Sequence, residues 1–570
     1  MDKKGRRARA RLSPEEKRRQ LDHKQFRNAI RDMFETAGFT RFPVLGKEIR
    51  VEGQTSELDE LFLYDNLAVA VEETTAEKQR DIVEHLRKKH EFATHVLRHP
   101  DALTQSLEDV CQPLAAHLKH SRIDRADIIW KFVYIPRHTL DREYQSRYSE
   151  IRFVNFHHLM YFSALSRTIR ASARYELFRF LGITQAQLGV RPPGQQSATY
   201  QAVLLSEQPS GFGKGHKVVS FLVDPQSLLE RAYVLRTSGW EDRGSLYQRL
   251  LLPAKIRDMR RYLAKTNRAF VNNLIVTLPS DTRFVDPNGQ ELEDPKSNAR
   301  SVVSVQLPDS WGSIGIVDGQ HRLFCYHEGK DQYEPAIAAL RKRQHLLVTG
   351  IRYPPGFSES SKTKFEAKLF LEINDKQNRV RSDLRQEIQV LVDPLSPVAI
   401  AKAVVSELAA KGPLAGELEQ HYYDRGKIKT ASIVSYGLRH VVNPDVEHSL
   451  WRRWAKDNAL HELTPERRQD YVAHCAGKVS DMFYGFKQAV EAMGMWDRDQ
   501  KKSRALTITT INGVIFCLRM LVSEGRLPTR EGYMQAFTKL GLNFSPQGFT
   551  YKSSNWKSLG EEIHRQCFKD

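Results

Sequence analysis

The chain is poor in the features that mark secreted, cysteine-scaffolded or membrane-spanning proteins. Its five cysteines, Cys111, Cys325, Cys475, Cys517 and Cys567, stand singly in 570 residues with no CxxC pair. Neither a disulfide framework nor a cysteine zinc site is expected. No apolar run reaches the roughly 18 to 20 residues that a membrane span needs. The opening stretch MDKKGRRARARLSPEEKRR has no apolar core that could serve as a secretory signal. These absences lead to the expectation of a cytoplasmic chain without a membrane partner.

What is abundant is positive charge: 87 Lys and Arg against 69 Asp and Glu, a formal net charge of +18. A positive field of this size draws polyanions, so DNA is the expected partner. With 40% hydrophobic residues the chain has ample material for a core, and its length calls for two to four domains.

Four segments are expected. A basic arm covers residues 1–12, where Lys3, Lys4, Arg6, Arg7, Arg9 and Arg11 would add salt-sensitive, sequence-independent affinity for DNA. Residues 13–190 come next. They open on a helix with Ser13 as cap and Pro14 in its first turn, running to Gly38. Two half-buried strands follow, around Leu61 and Leu63 and around Val69 and Val71, then a charged helix over 77–98 and a buried strand over 127–136. The Pro, Gly and Ser cluster VRPPGQQS marks a boundary. Residues 198–395 read as mixed α/β, with strands at 218–223, 274–278, 312–317 and 346–351, and residues 396–570 read as mostly helical. The fold class is therefore α/β (α+β) and multidomain.

In the second segment, Asp59 opens the first strand of the hairpin and Glu72 closes the second. Carboxylates held together on adjacent strands suit Mg²⁺, which polarises a phosphate and activates water while a lysine steadies the charge. The arrangement resembles the PD-(D/E)XK nuclease, or restriction-endonuclease-like, fold. Residues two apart on a strand share a face, so that resemblance puts the lysine at position 74. Thr74 stands there instead. Lys78 and Gln79, at the start of the next helix, are the nearest replacements, and Glu35 sits where the fold's first helix often carries an acid. Three readings stay open: an active nuclease, an inactive nuclease-like domain that binds DNA, and a plain hairpin with a solvated acidic rim.

Asp318, Gly319, Gln320, His321 and Arg322 follow the strand at 312–317 and lead into a helix. A strand that turns through glycine into a helix gathers unpaired N–H groups around a spot that favours an anion. His321 and Arg322 can add charge-assisted hydrogen bonds, and Asp318 can orient Arg322 or help to bind a metal. A structural turn is the alternative. The pentapeptide resembles the DGQHR-domain family, found in DNA phosphorothioation and deazaguanine modification clusters. The residues Tyr247, Gln248 and Arg249, the stretch FVNNLIVTLP and the stretch FLEINDKQNRV extend the similarity over about 200 residues in family order.

The resemblance implies a ParB/sulfiredoxin-like fold that binds ATP or another nucleotide through its phosphates. Gly319, His321 and Arg322 would make the contacts, beside Asp318 and Gln320, with Arg249, Asn374 and Gln377 as further candidates. It also implies a place in a DNA-modification or anti-phage defence system, with other proteins of that system as partners. The activity would be nucleotide hydrolysis, DNA cleavage, or DNA-binding regulation without chemistry.

Overall fold

The computed structural model describes residues 13–189, 199–205, 207–234, 240, 251–292, 300–375, 382–420, 424 and 426–569. The arm at 1–12, Arg249 and Gln377 lie outside these. The described residues up to Ser358 form one compact unit and those from Glu359 onward another.

In the first unit, helix α1 (Pro14–Glu35) leads to strand β1 (Thr40–Phe42), the small hairpin β2 (Ile49–Val51) and β3 (Gln54–Ser56), and the strands β4 (Glu60–Tyr64) and β5 (Leu67–Thr74). Helices α2 (Gln79–Val96), α3 (Pro100–Val110) and α4 (Gln112–Ser121) follow, then β6 (Ile129–Pro136), α5 (Arg142–Arg147), β7 (Ile151–Phe153), α6 (Phe156–Ile169) and α7 (Arg174–Leu181). The sheet order is β1-β4-β5-β6-β7. β1, β4 and β5 pair antiparallel, and β5, β6 and β7 pair parallel.

Successive side chains of a strand point to opposite faces, and β5 shows it plainly. Leu67, Val69 and Val71 join Phe26, Ile30 and Phe34 of α1 and Phe162 of α6 in one core. Ala68 and Ala70 join Ile82 and Leu86 of α2 and Leu107 of α3 in the other. A strand apolar on both faces reads as a continuous run, which is why LAVAV has no polar interruption.

A second sheet continues the unit. Its elements are β8 (Thr199–Leu205), α8 (Glu207–Ser210), β9 (Lys217–Val223), α9 (Pro225–Arg231), β10 (Ala232–Tyr233), α10 (Pro253–Thr266), β11 (Leu274–Leu278), β12 (Arg283–Val285), β13 (Arg300–Gln306), β14 (Ile314–Asp318), α11 (Gln320–Phe324), α12 (Glu334–Arg343) and β15 (Leu346–Arg352). Eight strands pair in the order β10-β14-β11-β15-β9-β8-β13-β12. The expected division between 13–190 and 198–395 is not a break in packing. One buried cluster runs from Phe26 through Phe178 to Val276 and Val348, so both sheets share a core.

The second unit is helical, with its core drawn chiefly from helices Pro397–Ala410, Arg468–Ala492 and Ile508–Ser523. Ser396 and Thr507 cap the first and last of these by accepting the N–H groups of Ala399 and Thr510. Helices Glu359–Asp375 and Ser382–Val392 belong to this unit as well, so the structural division falls at 358–359 rather than at the expected 395–396. No single helix among the described residues is long and apolar enough to cross a membrane.

Candidate functional site

Two places in the first unit carry the residues singled out from sequence. The first lies on the face of the five-stranded sheet that packs against α2. Glu60 pairs with Val71, so one further antiparallel step sets Asp59 opposite Glu72, and Glu72 in turn pairs with Tyr134 on β6. A rank of three polar side chains thus crosses three strands.

Asp59 accepts the backbone N–H of Glu73 at 2.9 Å, which fixes its carboxylate at the strand end. Glu72 is only 5% exposed and has the Lys89 ammonium 2.9 Å from Oε2, but neither of its oxygens receives a hydrogen bond of good geometry. Burial pushes the Glu72 carboxyl well above its ordinary range; Lys89 pulls it down, and the neighbouring Asp59 carboxylate adds to the rise. Lys89 also donates to the Glu57 carbonyl at 2.5 Å. The Tyr134 hydroxyl lies 2.9 Å from His85 Nδ1 and donates to the Ile82 carbonyl. Burial, followed by the Lys89 charge, lowers the His85 pKa and so favours the neutral ring.

The other face shows what a saturated buried carboxylate looks like here. Glu60 receives Arg31 and Arg41 and has both oxygens met, whereas Glu73 receives Arg27 with His23 nearby on Oε1 and keeps Oε2 without a hydrogen bond. Against that standard Glu72 is underprovided, with one lysine and an unsatisfied Oε1. A buried acceptor left unmade costs free energy, and such atoms call for an explanation.

Asp59 and Glu72 therefore come together as the sequence suggested, and the other expected members do not. Lys78 is the exposed cap residue of α2, and the lysine at the acids is Lys89, eleven positions later. Glu35 is exposed at the end of α1, the helix that packs on the opposite face of the sheet. Thr74 does share the Glu72 face. The signal for Lys89 was present in α2: Ile82, Leu86, Ala93 and Val96 are its buried stripe, and the 4-3-4-3 spacing places Lys89 at the centre. A lysine in the middle of an apolar stripe needs a partner.

Mg²⁺ fits this donor set in one respect, the orphaned Oε1 of Glu72 beside a second carboxylate. Among the described residues no group of three or more His, Cys, Asp or Glu side chains is assembled for a metal. Two carboxylates suffice for Mg²⁺, which keeps several waters and takes substrate oxygens for its remaining positions.

The second place is the glycine corner. β14 ends at Asp318, Gly319 adopts φ of +96°, and α11 spans only Gln320–Phe324. Only glycine fits: a Cβ there would stand 2.2 Å from Leu274 Cδ2. The Arg322 guanidinium donates to Asp318 Oδ2 at 2.6 Å and to the Asn273 carbonyl at 2.8 Å. His321 Nε2 accepts the N–H of Leu252 at 3.2 Å. Arg322 Nε and Gln320 Oε1 are buried without a hydrogen bond. The corner thus meets much of its own charge and retains two unmet polar atoms. Asn374 lies in the second unit, where its amide donates to the Phe370 carbonyl of its own helix.

Comparison with family models, with curated proteins and with solved structures finds no match to this chain.

Proposed function

We propose that this chain acts on DNA as a Mg²⁺-dependent phosphodiester hydrolase, in the cytoplasm of a bacterium that uses it for DNA modification or anti-phage defence. The observation that carries the reading is the cross-strand pair Asp59 and Glu72, with one buried oxygen unsatisfied and the Lys89 ammonium 2.9 Å from the other. Asp59 and Glu72 would hold the ion. Once bound, it polarises a phosphate oxygen and lowers the pKa of water. Lys89 supplies a positive charge beside the phosphate from α2 in place of position 74. The net charge of +18 brings the polyanion to the surface. In the same reading nucleotide binding biases the chain toward engaging DNA.

The test is supercoiled plasmid incubated with the full chain and Mg²⁺. Nicking is expected, with a loss of about a thousandfold in Asp59→Asn and Glu72→Gln, the scale of several kcal/mol of metal-ion stabilisation. A second reading, a DNA-binding regulator without chemistry, draws on Thr74 and on the bond that commits Lys89 to the Glu57 carbonyl. A protein that shifts DNA on a gel but nicks none with Mg²⁺ or Mn²⁺ would establish that reading and end the first.

A further inference from the structure

A separate cavity of about 470 Å³ lies in the first unit between the end of α6, helix α10 and the segment that follows α11. It touches neither Asp59 and Glu72 nor Gly319 to Arg322, and five of its twelve lining residues are Arg or Lys. Arg167 is paired with Asp32, and the fully buried Arg260 with Asp331 and Glu334. Arg170, Arg257 and Lys330 are exposed and form no ion pair among the described residues. Three uncompensated cations around one concavity repel each other, an arrangement that an anion relieves.

The walls are built rather than incidental. The Ala171 N–H donates to the Glu328 carbonyl, the Glu328 N–H to Ser172 Oγ, and Arg174 to the Glu328 carboxylate, which clamps the turn after α6 to the segment after α11. From the other side Arg260 of α10 donates to the carbonyls of Cys325 and His327 and to Asp331. A Cβ at Gly329 would come within 2.7 Å of Arg260, so the chain passes the guanidinium closely. Arg170 holds φ of +50°, a conformation L residues seldom adopt and one that gathers at ligand clamps. Burial, with Arg260 beside it, pushes the His327 ring down to about 3, so the imidazole at the cavity floor is neutral. The half-buried ring of Tyr333 and the exposed amide of Gln332 complete the lining.

We propose that this cavity binds a nucleoside triphosphate, with Arg170, Arg257 and Lys330 gripping the phosphates and Tyr333 stacking on the base. The volume lies in the range of small-ligand sites, three cations match a polyphosphate tail, and an aromatic face with an amide suits a base. The inference goes beyond the proposed cleavage reaction and places nucleotide at a site distinct from the glycine corner.

The experiment titrates ATP, without metal, into the full-length protein and into Arg257→Ala/Lys330→Ala, Tyr333→Ala and Arg322→Ala, with a thermal melt of each to check folding. Loss of two charge-assisted contacts should weaken ATP at least tenfold. Tyr333→Ala should erase any preference for ATP over inorganic triphosphate, and Arg322→Ala should bind as the wild type does. A charge-retaining Arg257→Lys, expected to bind ATP within a few-fold of wild type, guards against a folding artefact. Three results overturn the proposal: no ATP binding by the wild type, unchanged affinity in the double variant, or loss of binding in Arg322→Ala alone. Competition in which a short single-stranded oligonucleotide displaces ATP at lower concentration than ATP itself would mark a DNA-backbone site and overturn it too. Intact ATP binding without plasmid nicking breaks only the cleavage reading, and nicking without ATP binding breaks only this one.

Discussion

The two motif-bearing places in the first unit hold the same kind of pair, an acid against a base within 2.9 Å, in opposite circumstances. Glu72 and Lys89 are buried, 5% and 16% exposed, and the carboxylate ends with an oxygen unsatisfied. Asp318 and Arg322 are 34% and 22% exposed, and the guanidinium has a second acceptor in the Asn273 carbonyl. A buried ion pair recovers its desolvation cost only when the remaining lone pairs are met. Glu72 fails that condition and Arg322 comes closer to meeting it, so the first pair is the better candidate for a group waiting on a ligand. The corner is the better candidate for a self-supporting turn.

The contrast can be broken by removing the bases. Lys89→Ala leaves a buried carboxylate without its cation and should cost about 3 kcal/mol, read as a fall in the denaturation midpoint at unchanged slope. A cost below that of Arg322→Ala would reverse the ranking of the two pairs.

The next effect is on pH dependence. The Glu72 carboxyl is raised in the folded chain, so its contribution to stability is fully present below the unfolded value of about 4.3 and is lost as pH rises through the folded value. Glu72→Gln cannot ionise. Its stability relative to wild type should therefore increase as pH rises above the ordinary carboxylate range. Parallel melting curves for the two proteins across that rise would show that burial does not hold the carboxyl up.

Smallest is the corner itself. Arg322→Ala breaks a half-exposed pair and should cost about 1 kcal/mol or less, measured by the same denaturation. A loss several times larger would show that the corner organises the unit rather than merely closing a turn.

Local signals carried much of this arrangement. The apolar runs ELFLY and LAVAV placed the hairpin, although its strands are buried on both faces rather than half-buried, and its ends placed Asp59 and Glu72 side by side. The glycine before Gln320 announced the turn that its φ of +96° requires. Lys89 escaped because a lysine in a charged helix reads as a solvated residue until the stripe on either side of it is traced. The clamps at Arg174 and Arg260 escaped for a related reason, since arginine is seldom buried and their partners, Glu328 and Asp331, lie 154 and 71 positions away. The eight-strand order was out of reach because it rests on long-range pairing such as β13 with β8. The division at 358–359 was not legible because Glu359–Asp375 is a helix whose amphipathicity says nothing about which core it serves.

The most direct measurement is Mn²⁺ binding, as a spectroscopic probe for Mg²⁺, to the purified wild type and to Glu72→Gln. The account requires saturable binding of Mn²⁺ by the wild type that strengthens as pH rises and Glu72 ionises, is displaced by Mg²⁺, and is lost in the variant. Equal binding by the two proteins, or none by the wild type at millimolar Mn²⁺ and pH 8, would contradict it.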